Sequence, residues 1–159
     1  MEAKIKIAKL LFNQNKYQEV IDTCNAILAN DSNSIEAIKL IAKSFSAIKR
    51  IKDAYMYYKK ALDIEPDHYE IAKEIGNIYQ AAGDLNRAEI YYRKAIEING
   101  MYTPALTSLG CIQLSKGNKQ EALSLLIKAT KSDTQSAPAW SNLANGYFQL
   151  NKIVDAESA

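Results

Sequence analysis

The side chains in this sequence with most to offer chemically are lysines and carboxamides. Lys9, Lys39, Lys43 and Lys73 are point charges that pair with carboxylates. Asn77, Gln80, Asn142 and Asn145 each carry a donor and an acceptor, so they can bond a peptide backbone in both directions. Phe148 adds an aromatic face to this set. A reacting constellation is missing. His68 is the sole histidine, and no CxxC or HxxxH pair is present to build a zinc site. No paired carboxylates or nucleophile–base arrangement stands out. Gly110 and Gly117 do not form a phosphate loop, because no strand is expected before them and no Gly-Lys-Ser/Thr follows. The expected chemistry is recognition without a catalytic site or a cofactor.

Composition narrows the class of partner. The 159 residues carry 20 basic and 18 acidic side chains, a net charge of +2, too balanced for a protein that binds nucleic acid by neutralising phosphates. No apolar run approaches the roughly 20 residues needed to span a bilayer, so membrane insertion is not expected. The opening MEAKIKIAKLLF alternates lysine with apolar residues and reads as a helix, not as a signal peptide. With two cysteines, Cys24 and Cys111, far apart in the chain, a reducing compartment and hence the cytoplasm is expected.

The elements that must position these side chains follow from a repeat. Asn15-Lys16-Tyr17-Gln18-Glu19-Val20 aligns with Lys49-Arg50-Ile51-Lys52-Asp53-Ala54, then with Gly83-Asp84-Leu85-Asn86-Arg87-Ala88. Gly117-Asn118-Lys119-Gln120-Glu121-Ala122 and Asn151-Lys152-Ile153-Val154-Asp155-Ala156 complete the series at a constant 34-residue step. Between these turns the apolar residues recur at helical spacing. Ile7, Ile41, Ile75, Leu109 and Leu143 form a large column on the first helix of each unit, with Ala8, Ala42, Gly76, Gly110 and Ala144 as a small one beside it. Leu11, Phe45, Tyr79, Gln113 and Tyr147 lie one turn on. On the second helix Val20, Ala54, Ala88, Ala122 and Ala156 are small, followed by Cys24, Tyr58, Tyr92 and Leu126, and then by Ile27, Ala61, Ala95 and Ala129. Small columns let backbones approach; large ones fill the space between hairpins.

The pattern predicts helix pairs near 2–14 and 17–30, 35–48 and 51–64, 69–82 and 85–98, and 103–116 and 119–132. A further helix is expected over 137–150, with another starting near Ile153. Pro104 and Pro138 suit the first turns of helices, with Thr103 and Ser136 as caps. Asn99-Gly100 reads as a left-handed helix end. Tyr55, Tyr57 and Tyr91 are expected to pack between second helices, not to form a stacking surface.

These residues resemble the tetratricopeptide repeat. Ile75-Gly76-x2-Tyr79, Ala88-x3-Tyr92 and Ala95 match its pattern in the third unit, and Trp140-x2-Leu143-Ala144-x2-Tyr147 with Ala156 in the fifth. Lys4 stands where the large aromatic is expected in the first unit, and Gln113 replaces the tyrosine in the fourth. The resemblance implies an all-α fold, a right-handed α-solenoid of stacked antiparallel helix hairpins. About four and a half units would form one domain over 1–159: 1–34, 35–68, 69–102, 103–136 and an incomplete 137–159. It also implies a protein-interaction scaffold whose concave groove, lined by first helices, holds an extended or helical peptide.

On that geometry the first-helix residues left over from packing line the groove. Lys9, Lys39, Lys43 and Lys73 then form a basic strip, suited to an acidic partner, while Asn77, Gln80, Asn142, Asn145 and Phe148 make the lining neutral further along. Thr107, Cys111 and Leu114 fall in the same columns. The plainer alternative is a solvated face in which the lysines pair with Glu36 and Glu70. Some relatives grip a C-terminal carboxylate with five side chains. Lys73 and Asn77 match that clamp, but Ser108, Pro138 and Asn142 do not supply its remaining groups. The asparagine ladder of another branch has one rung here, Asn142.

The sequence stops barely one turn into the second helix of the fifth unit, leaving Trp140, Leu143 and Tyr147 without their partner helix. Three readings of that end are expected to compete. The chain is the N-terminal part of a longer adaptor, the scaffold of a modular enzyme such as a glycosyl- or sulfotransferase, or a protein that self-associates through its uncapped end.

Overall fold

The computed structural model describes residues 2–157, with side chains described through Asn151. Among these residues every regular element is an α-helix. They are α1 (Glu2–Asn13), α2 (Tyr17–Leu28), α3 (Ile35–Ala47), α4 (Ile51–Ile64), α5 (Tyr69–Ala81), α6 (Leu85–Ile98), α7 (Thr103–Ser115), α8 (Lys119–Ser132) and α9 (Ala137–Glu157). They gather into two compact units, Met1–Ile78 and Tyr79–Ala159. In the first, α1 packs on α2 and α3, α2 on α3, and α3 on α4. In the second, α6 packs on α7, α7 on α8, and α9 on both α8 and α7.

The turn inside each hairpin is one motif repeated. Asn15, Lys49, Gly83 and Gly117 all adopt positive φ, between 60° and 81°. The amides of Lys16, Arg50, Asp84 and Asn118 then donate to the carbonyls of Leu11, Phe45, Tyr79 and Gln113, five residues back. The amides of the left-handed residues themselves donate to Phe12, Ser46, Gln80 and Leu114. This is the Schellman closure, which satisfies carbonyls that would otherwise end a helix unpaired. Gly83 and Gly117 adopt it without strain, whereas Asn15 and Lys49 carry a β-carbon into left-handed space.

The small columns do what close helix approach requires. Ala8, Ala42, Val20, Ala54, Ala88 and Ala122 are fully buried, as are Ala61, Ala95 and Ala129. At Gly110 a β-carbon would sit 2.7 Å from Leu126 Cγ, so only glycine admits α8 this close. Tyr58 and Tyr92 are buried in their columns, and Ile41, Ile75, Leu109 and Leu143 in theirs. A core cluster in the second unit joins Ala88 and Tyr92 to Leu109 and Ile112, and another joins Leu114, Ala122, Leu126 and Leu143.

Several expectations need correction. Helix α9 runs unbroken through Asn151-Lys152, where a turn and a new helix were expected. A left-handed turn without glycine costs on the order of 1–2 kcal/mol, which the 12–14-residue second helices of the earlier hairpins offset by packing back. At Asn151 the backbone stays helical within α9, so that cost does not arise. Ala156, the last member of the small column, lies outside the described side chains. Ile7 is 51% exposed, and Ala144 and Tyr147 are also exposed, because none of the described helices covers those faces. Asn99 is extended (φ −129°, ψ 93°), so the chain leaves α6 by a β-like residue, as it does at Glu65 and Asp133. Left-handed residues belong to the turns within hairpins, where the chain reverses most tightly. Tyr102, not Thr103, occupies the N-cap position of α7, without a side-chain capping bond, and Pro104 lies in the first turn. Ser136 Oγ does accept from the Ala139 amide, at 3.4 Å. Tyr57 and Tyr91 pack on first helices, against Phe45 and Tyr79, with ring centroids 5.5 Å and 5.6 Å apart.

Candidate functional site

The first unit brings three of the four lysines together. Lys9 of α1, and Lys39 and Lys43 of α3, line a hollow of about 480 Å³ with Phe12, Asn13, Glu36, Leu40 and Glu70. They meet because each stands on the outer edge of a first helix whose opposite face is committed to the core at Ala8, Ile38, Ile41 and Ala42. Carboxylates from the next first helix answer two of them. Lys9 Nζ lies 2.6 Å from Glu36 Oε1, and Lys39 Nζ 3.0 Å from Glu70 Oε2. The bond from Lys9 and the neighbouring ammonium charges hold the Glu36 carboxyl below its usual range. Glu70 is lowered likewise, first by its bond from Lys39. Both therefore stay ionised at neutral pH. Lys43 is exposed and makes no hydrogen bond or ion pair among the described residues, while its charge acts on both glutamates.

Lys73 does not line this hollow. Its Nζ lies 3.4 Å from Glu74 Oε1, on its own helix, and Asn77 Nδ2 donates to Glu74 Oε2 at 3.0 Å. Glu74 was no part of the site expected from the sequence. Its neighbouring position to Lys73 was the available signal, obscured by the rule that adjacent helical residues do not face each other.

Lys39 has a second neighbour. Its Nζ is 3.2 Å from Nε2 of His68, in the turn between α4 and α5. Burial, together with the Lys39 charge, pushes the His68 imidazole below its ordinary value of 6.5. An ammonium has no acceptor, so Nε2 must accept from Lys39 and the proton sits on Nδ1. Nδ1 is buried with no partner. His68, Lys39 and Glu70 also line a second hollow of about 650 Å³ with Ile64, Glu65, Pro66, Asp67 and Tyr69.

In the second unit each predicted carboxamide bonds within its own helix or hairpin. Gln80 accepts from the Tyr92 hydroxyl at 2.6 Å and so supports a core tyrosine. Asn142 Nδ2 donates to the Pro138 carbonyl, and Asn145 Oδ1 accepts from Gln149. Phe148, Trp140 and Tyr147 are exposed on α9, with the Trp140 indole donating to Thr134. Leu114, expected to line the groove, is core, and Thr107 is buried as well. Cys111 is half-buried, and burial raises its thiol, which works against nucleophilic use.

The second unit holds a polar cluster instead, built around the departure at position 113. Gln113, 1% exposed, donates to Glu89 Oε1 at 2.8 Å and accepts from Asn118 at 2.8 Å. Glu89 also takes bonds from Arg93 at 2.7 Å and Lys116 at 2.7 Å. Arg93 bridges on to Glu121, and Lys116 to Asn86. Lys116, then Arg93 and Gln113, pull the Glu89 carboxyl down to about 2. Among the described residues no group of three or more His, Cys, Asp or Glu is placed to hold a metal, and no helix is long and apolar enough to cross a membrane.

Known proteins agree with this architecture. Two sequence models of one family, both described as Tetratricopeptide repeat, match residues 48–109 and 105–138. Tetratricopeptide repeat protein 37 of Xenopus laevis is 30% identical over 78 residues, which is 49% of this chain and 5% of that protein's length. Among solved structures, the chain is similar to PilF of Pseudomonas aeruginosa at 16% identity and a TM-score of 0.85, covering 99% of this chain and 72% of that one. It is also similar to YrrB, described as a TPR protein with an unusual peptide-binding site, at 23% identity and a TM-score of 0.72, covering 93% of this chain and 76% of that one. The fold is an all-α solenoid of helix hairpins. With its 34-residue step carried through four left-handed turns, the chain belongs to the tetratricopeptide repeat family.

Proposed function

We propose that the chain is a protein-interaction scaffold that takes a peptide along the outer edges of its first helices, with the hollow at Lys9, Lys39 and Lys43 as the point of grip. The observation that carries this reading is the arithmetic of charge. Three ammonium groups face two carboxylates, and the surplus is Lys43. One ligand carboxylate would balance it in a charge-assisted bond. Phe12 and Leu40 line the same hollow and suit an apolar side chain next to that acid. A run of acids fits worse, because Glu36 and Glu70 are ionised and repel a second negative charge. Lys73 and Asn77, already bonded to Glu74, would add contacts along a longer ligand. The description of YrrB as peptide-binding is in keeping with this use of the fold.

The test is fluorescence anisotropy with three labelled peptides of equal length, carrying leucine beside no, one or three glutamates. The single-glutamate peptide is expected to bind most tightly, and Lys43→Glu to abolish its binding. Equal affinities for the three peptides, or a Lys43→Glu variant that binds like the parent, would overturn the reading.

A further inference from the structure

The Lys39–Glu70 pair separates the two hollows of the first unit, since both residues line each of them. His68 reaches that pair from the side of the α4–α5 turn, and Glu36 and Lys43 face it from the other. Lys39 Nζ is thus held by two acceptors, Glu70 Oε2 at 3.0 Å and His68 Nε2 at 3.2 Å, with its side chain 15% exposed. The arrangement depends on a neutral imidazole. Once Nε2 carries a proton it can no longer accept from an ammonium, and two cations stand at hydrogen-bond distance with little water between them.

We propose that His68 is a proton-operated latch on Lys39. Imidazolium formation breaks the Nε2 contact and sets His68 to compete for Glu70. Lys39 is released toward the hollow of Lys9, Lys43 and Phe12, adding a second uncommitted cation there. The charged groups that govern the step are Lys39 and Glu36 of α3, Glu70 of α5, and Glu65 beside the turn. Lys39 opposes protonation; the three glutamates favour it. The buried Nδ1 has no hydrogen-bond partner, so once the Nε2 contact is lost no other hydrogen bond holds the ring in its present place. The consequence for binding rests on the peptide reading above, but the latch itself does not. In ligand terms, a carboxylate-bearing peptide is gripped more tightly in mildly acidic solution.

A single histidine makes the test direct, because its ring Cε1–H gives one proton resonance in the full chain. Titration of the parent is expected to give a midpoint below the ordinary histidine value. Lys39→Met should raise it by about one pH unit, and Glu70→Gln should lower it further. The ε-carbon resonance of Lys39 should shift with the same midpoint as His68. A midpoint unmoved by Lys39→Met, or a Lys39 signal flat through the His68 titration, would overturn the latch. The second arm measures the single-glutamate peptide at about pH 7.5 and pH 5.5, with roughly fivefold tighter binding expected at the lower value and none of that change in His68→Gln. Affinity independent of pH in the parent would also overturn it. Absence of binding at both values, alongside the Lys39 shift, would sink the peptide reading and leave the latch standing.

Discussion

The two units use the same ion-pair chemistry to opposite ends. In the second, Glu89 is surrounded by Gln113, Arg93 and Lys116, and its side chain is 19% exposed. Each cation of the cluster has a carboxylate acceptor. In the first, Glu36 and Glu70 are 44% and 46% exposed, each is bonded by one lysine, and Lys43 is left over. Where donors and acceptors balance behind a low-dielectric wall, the cluster holds helices together. Where one charge remains unmatched beside an open hollow, the cluster has something to offer a ligand. Equal counts of ion pairs would have hidden that difference.

The comparison can be broken from either side. The largest effect is expected at Glu89. Glu89→Ala leaves the buried Gln113 amide nitrogen without its acceptor and takes the carboxylate from Arg93 and Lys116, and should cost about 2–3 kcal/mol in urea unfolding. A cost near zero would mean that the network is ornamental. The same residue sets an acid limit. Its folded pKa of about 2 lies below the ordinary 4.5, so its contribution is complete above about pH 4.5 and is lost as the pH falls toward 2. The urea midpoint should therefore fall across that window, and Glu89→Gln should flatten the fall. Next in size, Lys49→Gly should stabilise by about 0.5–1 kcal/mol, because it relieves a side chain held at φ 64°. Smallest is Lys9→Ala, which removes an exposed pair and should change stability by about 0–1 kcal/mol. A loss well above that would move the first-unit hollow into the structural class now occupied by Glu89.

Much of the fold was legible because the signal is redundant. Four turns at one spacing fix where hairpins reverse even when two of them lack glycine, as at Asn15 and Lys49. The buried alanine columns repeat the same information on the helices. The candidate site was legible in part. Lys9, Lys39 and Lys43 do share a hollow: Lys9 and Lys43 stand one repeat apart on the same helical face, and Lys39 lies one turn before Lys43. Lys73 does not join them; its ammonium lies against Glu74 on its own helix. His68 read as a turn residue because its partner lies 29 positions away on α3. Gln113 read as a gap in an aromatic column. Only the approach of Glu89 and Asn118 makes it a buried, satisfied node.

Local sequence settled the first eight helices, four reversals and most of the columns along which they pack. These depend on local dihedral preference and on the burial of apolar stripes, both of which are written residue by residue. The tertiary structure decided which charges are spent and which remain. That balance is set by distances of a few ångströms between side chains some 27 to 31 positions apart, as in Lys9–Glu36 and Lys39–Glu70. Electrostatic energy changes steeply over such distances and with burial. No periodicity encodes the gap between a lysine that has found its carboxylate and one, like Lys43, that has not.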